Sequence, residues 1–134
     1  CMGCATAQGQ ASADEVYRDD RVVAVVARHA INPGHLVVVT REHVRHALVM
    51  EPELLSHMML VAARLGRHLR ETLPCEGVML VFNNEPPCQT LFHAHLHVVP
   101  RYTGDEMDRT FGVPTSPQER ETMARLLTVA PLPS

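Results

Sequence analysis

The chain has 134 residues, 46% hydrophobic and 20% charged, with a formal charge of −3. Such a length and balance suit one globular domain built on one core, and residues 1–134 are read as a single unit. No apolar run approaches the roughly 20 residues that a membrane-spanning helix needs. Lys and Arg form no stripe and Trp is absent, which argues against a nucleic-acid groove. No basic segment followed by an apolar core opens the chain, which favours the cytoplasm. In that reducing compartment the four cysteines, Cys1, Cys4, Cys75 and Cys88, are expected to be metal-binding or simply buried rather than disulfide-bonded.

In chain order, "EVYRDDRVVAVVARH" breaks at Asp19 and Asp20, both turn formers. This predicts a strand ending near Arg18, a second over 21–27 and a hairpin between them. The Asn, Pro and Gly of "INPGH" predict a turn, and the β-branched run at 36–40 a third strand. From 52 to 72 the period changes. Leu55, Met58, Met59, Ala62, Leu65 and Leu69 recur at three- and four-residue steps, with Glu53, Arg64, Arg67, Arg70 and Glu71 on the other side. That spacing predicts one long helix, opened by Pro52 and stopped by Pro74, with its methionines packed in the apolar stripe.

Residues 78–82 read as a buried strand, "NNEPPC" as a loop and 91–99 as a further strand. In "SPQERETMARLL", Ser116, Pro117 and Glu119 stand where a capped first turn needs them, so a short last helix is expected within a C-terminal extension over 106–134. The order of elements predicts an α+β fold with the long helix packed on one face of a sheet.

The stretch "FHAHLHVVPR" carries the chemistry. On a strand, His93, His95 and His97 share one face while Ala94, Leu96 and Val98 share the other, which is apolar and faces the core. Three functions fit alternating imidazoles: a merely solvated face, a metal site, or nucleophilic attack on phosphorus with protonated neighbours binding the phosphoryl oxygens. The neighbourhood separates the last two. Asn83, Asn84, Gln89 and Thr90 lie just upstream, with Glu85 the sole acid, and neutral donors suit phosphate oxygens better than a metal-activated water. Arg101 follows with a positive charge.

These residues carry a resemblance. "QTLFHAHLHVVPR" resembles the signature of the histidine-triad (HIT) superfamily of nucleotide hydrolases and transferases, and "NPGHLVVVTREHV" and the N-terminal "CMGC" with its hairpin extend the likeness to about Asp105. The core motif lies within 83–101. The resemblance implies an antiparallel sheet of about five strands with one long helix and a short C-terminal helix. It implies that His95 attacks the α-phosphorus of a nucleoside phosphoramidate or (di)nucleoside polyphosphate and forms a nucleotidyl-histidine that water hydrolyses, with no catalytic metal. It further implies that His97 and Thr90 contact the phosphate oxygens, that Gln89 lies near the leaving group, that Asn83 or Asn84 lies near the phosphates, and that His35 supports the cluster. Relatives are usually homodimers, joined through the long helix and a neighbouring strand.

Cys1 and Cys4 form a C-x2-C pair, and a tetrahedral zinc needs two more ligands, for which the sequence offers His43 and His93, with His46 as a rival. Reduced thiols at a frayed terminus are the plain alternative. Relatives that carry the pair bind structural zinc there, so the resemblance implies a Cys2His2 site of Cys1, Cys4, His43 and His93. Two features depart from the family. Ala27 falls where most relatives bind the ribose hydroxyls, leaving Arg28 or His29 to substitute, and Pro86 and Pro87 stiffen the phosphate loop and remove two backbone donors. A zinc-stabilised nucleotide-binding or sensing module without turnover is the rival function, and a metal-dependent hydrolase using all three histidines is the third.

Overall fold

Asp19 turns the first hairpin by accepting the backbone N–H groups of Arg21 and Val22 on Oδ1, at 2.8 and 2.9 Å. In this computed structural model, which describes residues 1–105 and 112–132, helix α1 (Met2–Ala7) precedes strands β1 (Glu15–Arg18) and β2 (Val22–Val26). A short β3 (His29–Ala30) and β4 (Leu36–Thr40) lead to helix α2 (Pro52–Thr72), then β5 (Gly77–Phe82), β6 (His95–Arg101), β7 (Val113–Pro114) and helix α3 (Pro117–Leu127). Residues 106–111 and 133–134 of the expected C-terminal extension lie outside the described residues.

Five strands form one antiparallel sheet in the order β1-β2-β4-β6-β5, and β3 pairs with β7 in a separate ribbon. Strand alternation divides the sheet into two faces. Val22, Ala24, Val26, Leu36, Val38, Leu96 and Val98 pack with Leu54, Met58, Val61, Leu65 and Leu69 of α2, and Ala124 and Leu127 of α3 join the same cluster. On the opposite face Val23 and Val39 are also buried, and α1 packs there against β2 and β4.

The long helix spans 52–72 as its periodicity predicts, with Pro52 in the first turn. Its buried stripe is rotated from the expected one. Leu54 and Val61 are buried, whereas Met59 is 40% exposed and Leu55 lies at the rim, because the helix also meets α3. The capping box at Ser116 forms: Glu119 N–H donates to Ser116 Oγ, and Ser116 N–H to the Glu119 carboxylate. No helix among the described residues is long and apolar enough to cross a membrane.

The alternative of thiols at a frayed end does not hold: residues 2–7 form helix α1, with the Cys1 sulfur accepting the Cys4 N–H at its N-cap. One expectation is corrected. The last strand of the motif begins at His95 rather than 91, so His93 lies in the bend before it. There Ala94 N–H donates to the Val44 carbonyl at 2.6 Å, so residue 94 pairs with the 43–47 segment before the β6 ladder begins.

Candidate functional site

His95 and His97 stand on the sheet face opposite α2, paired in register with Val39 and Val37 of β4. Their rings lie 4.9 Å apart, centroid to centroid, nearly perpendicular. The hydrogen bonds assign their tautomers. The Nδ1–H of His95 donates to the His93 carbonyl at 2.8 Å, which leaves the Nε2 lone pair of His95 uncommitted. At His97 the order is reversed. Ile31 N–H donates to Nδ1 of His35 at 3.0 Å, so the proton of His35 sits on Nε2 and is donated to Nδ1 of His97 at 2.9 Å. The remaining proton of His97 is therefore on Nε2, facing away from His35. A lone pair on one imidazole thus stands beside an N–H donor on the next.

Both supporting rings are neutral at neutral pH. Burial pushes His35 down to about 3, with the positive forms of His97 and His95 adding to the effect. Burial likewise pushes His97 down to about 4, helped by His95. His97 is held neutral by desolvation, so the donor it offers comes from its tautomer rather than from charge.

The loop before β6 is braced by its own polar residues. Gln89, 3% exposed, donates both amide protons, to the carbonyls of Arg45 at 2.7 Å and Leu91 at 2.9 Å, and accepts Glu85 N–H at 2.8 Å. Its amide is therefore spent on shaping the loop. Asn84 accepts Ala47 N–H at 2.9 Å. Glu85, at a left-handed φ of 67°, is gripped by Arg45 at 2.7 and 3.1 Å and by His46 at 2.7 Å. The Arg45 hydrogen bond, with His46, holds the Glu85 carboxyl down to about 2. Arg45 also lies 4.5 Å over the Phe92 ring. The side chains of Asn83 and Thr90 make no hydrogen bond within the described residues, and Thr90 is exposed.

The third histidine belongs to a different cluster. Nδ1 of His93 lies 3.5 Å from the sulfur of Cys1 and 3.6 Å from that of Cys4, while Nδ1 of His43 lies 3.7 and 3.4 Å from the same two atoms. A tetrahedral zinc with bonds of about 2.3 Å to sulfur and about 2.0 Å to nitrogen has sulfur–nitrogen edges of about 3.5 Å. The four donors fit that polyhedron and form a Cys2His2 structural zinc site. His93 is fully buried, and its Nε2–H donates to the Thr40 carbonyl at 2.7 Å, which leaves Nδ1 as the lone-pair donor. Burial pushes His93 down, favouring the neutral form that a metal requires. His46, the rival ligand, is committed to Glu85 and, through Nδ1, to Leu48 N–H at 3.2 Å.

Other expected residues lie elsewhere. Arg28 is exposed on a cleft of about 390 Å3 lined by Cys1, Met2, Ala5, Thr6, Gln10 and Ala11, and no histidine lines it. Ala27 is buried with its N–H donated to the His35 carbonyl and its own carbonyl accepting Thr115 Oγ1. Arg101 closes β6 and pairs with Asp105 at 2.5 Å. Cys75 is buried, whereas Cys88 is exposed and donates to the Glu85 carbonyl at 3.2 Å. Thr40 and Arg45 were missed by sequence reasoning. Thr40 carried no motif to mark it: its carbonyl accepts from Nε2 of His93 at 2.7 Å, and its Oγ1 lies 3.2 Å from the same nitrogen.

Comparison with known proteins places these features in a family. The family model for the HIT domain matches residues 8–104. An uncharacterized HIT-like protein of Mycobacterium tuberculosis is 30% identical over 129 residues, covering 95% of this chain and 90% of its own length. The crystal structure of a zinc-bound histidine triad family protein from Mycobacterium smegmatis superposes with a TM-score of 0.83 at 31% identity, over 95% of this chain and 89% of that one. A hypothetical histidine triad nucleotide-binding protein from Sulfolobus tokodaii shares the fold, with a TM-score of 0.83 at 19% identity over 95% and 89% of the two chains.

Proposed function

The chain belongs to the HIT-domain family, and from that premise we propose that it is a nucleotide hydrolase or transferase acting at the α-phosphorus of nucleoside phosphoramidates or (di)nucleoside polyphosphates. The observation that carries this reading is the tautomer pattern: an uncommitted Nε2 lone pair on His95 beside an Nε2–H on His97. In the proposed reaction Nε2 of His95 attacks phosphorus. The bond from phosphorus to the leaving group breaks, its electron pair departs with that group, and the group takes up a proton. A nucleotidyl-histidine remains until water attacks phosphorus and returns His95 free.

The N–H of His97 and the unpaired hydroxyl of Thr90 are the proposed donors to the non-bridging oxygens, with Asn83 beside them. Gln89 and Asn84 act by holding the loop. The zinc is proposed to be structural, since four protein donors fill a tetrahedron and leave no open position for a reacting group. A homodimer is part of the proposal, formed through Met59 and Leu60 of α2 and Leu80 on edge strand β5, which are 40%, 61% and 37% exposed.

A panel of adenylated and guanylated phosphoramidates and dinucleoside polyphosphates, assayed with wild type and His95→Ala, tests the reading. Turnover should vanish in the variant while the fold persists, and wild type should yield a trapped nucleotidyl adduct on His95. Near wild-type turnover in His95→Ala would refute the assignment. A rival reading, nucleotide binding without turnover, is favoured by the complete engagement of the Gln89 amide. Nucleotide binding with no adduct and no product would establish it.

A further inference from the structure

His93 takes part in both clusters at once. Its ring points Nδ1 at the two cysteine sulfurs, while its backbone carbonyl accepts Nδ1–H of His95. The second histidine ligand lies at the start of a segment that is zipped along the loop before β6. Val44 accepts Ala94 N–H, the Arg45 carbonyl accepts Gln89, the side chains of Arg45 and His46 grip Glu85, and Ala47 donates to Asn84. His43 and His93 therefore sit where this zipped segment meets the β4–β6 ladder, which begins at Val39 and His95, and the zinc tetrahedron ties that junction to α1.

We propose that the zinc site is a positioning device for His95 as well as a brace for the fold, acting through His93 as the positioning residue. This rests on reading His95 as the nucleophile. A metal on Nδ1 of His93 and the Thr40 carbonyl on its Nε2 together fix both ends of the ring, and with it the bend at 93–94. The His93 carbonyl is thereby held 2.8 Å from Nδ1 of His95. If the bend relaxes, that bond is lost, the proton of His95 is free to move to Nε2, and the lone pair needed for attack is no longer presented. His43 has no such connection to His95, so two ligands of one metal differ in what their loss does.

The test uses His93→Ala and His43→Ala, each with zinc at saturating concentration so that three protein ligands remain. Imidazole 15N spectra of His95 report its tautomer without reference to turnover, and kcat and KM are measured on the best substrate of the panel. His93→Ala should lose the Nδ1–H tautomer as the dominant form and fall about 10- to 100-fold in kcat, with KM changed much less. His43→Ala should keep the tautomer and lose at least about tenfold less in kcat than His93→Ala. Equal losses in the two variants, or an unchanged His95 spectrum in His93→Ala, would overturn the proposal.

Should His93→Ala fail to fold, wild type depleted of zinc by a chelator replaces it. The His95 tautomer should be lost with the metal and restored by added zinc, and indifference to zinc would overturn the idea. A tautomer that follows zinc in a protein that never turns over would sink the enzymatic reading and leave the positioning intact.

Discussion

Gly3→Ala places one methyl group into the zinc site's supporting layer. A Cβ at Gly3 would lie 2.4 Å from Cγ of His93, 2.6 Å from its Cβ and 2.8 Å from its Nδ1. Contacts this short are not tolerated, so either α1 lifts or the His93 ring turns. The ring is poorly free to turn, because Nε2 is bonded to the Thr40 carbonyl and the next residue is bonded to Val44. Lifting α1 carries both cysteine sulfurs away from Nδ1. Either response breaks the 3.5 and 3.6 Å sulfur–nitrogen edges of the tetrahedron. Overpacking of this kind costs about 1–3 kcal/mol, which corresponds to a zinc affinity weakened roughly 5- to 150-fold. Competition with a chromophoric chelator measures that affinity. Gly77→Ala is the control, since a Cβ there meets nothing within 4 Å. A zinc affinity in Gly3→Ala within twofold of wild type, with unchanged thermal stability, would show that the packing argument is wrong.

Acid should destabilise the protein through its histidine relay. His35 and His97 have folded values of about 3 and about 4, against about 6.5 unfolded. Between those values the unfolded chain binds more protons, so their contribution is complete above about pH 6.5 and is lost as pH falls. Urea unfolding from pH 7 to 4 should show this loss, and His35→Phe should flatten the slope; an unchanged slope would contradict the relay. The same variant removes the His35 donor to Nδ1 of His97, costing about 1–3 kcal/mol at neutral pH by the same unfolding assay. Leu65→Ala, at a fully buried position under the sheet, should cost about 2–5 kcal/mol in equilibrium denaturation. Ser116→Ala removes the cap of α3 and should cost about 1 kcal/mol, seen as a modest drop in Tm.

Most of the scaffold was legible in local chemistry. The hairpin at Asp19, the helix over 52–72 and the box at Ser116 each depend on side chains acting within a few residues of themselves, and each formed where those residues stand. The spacing of Cys1 and Cys4 made them candidate metal ligands, and the resemblance to relatives that carry the pair, rather than the spacing alone, pointed to zinc with His43 and His93. Helix α1 was not visible. Six residues are too few to form a stable helix alone, and this one is held by its place on β2 and β4.

The sequence by itself determined which residue types were available: alternating imidazoles, a thiol pair and a loop rich in neutral donors. Alternation along an assumed strand makes the three histidines equivalent, and only the resemblance to the HIT signature, not the spacing, implied zinc for His93, attack for His95 and phosphate contact for His97. Tertiary structure removed that equivalence. Starting the strand at His95 leaves His93 in a bend, where the Thr40 carbonyl and the sulfurs of α1 claim its two nitrogens. A buried His35, 62 positions away in the chain, sets the proton of His97. Tautomer and burial are properties of partners brought together by folding, and no spacing along the chain encodes them.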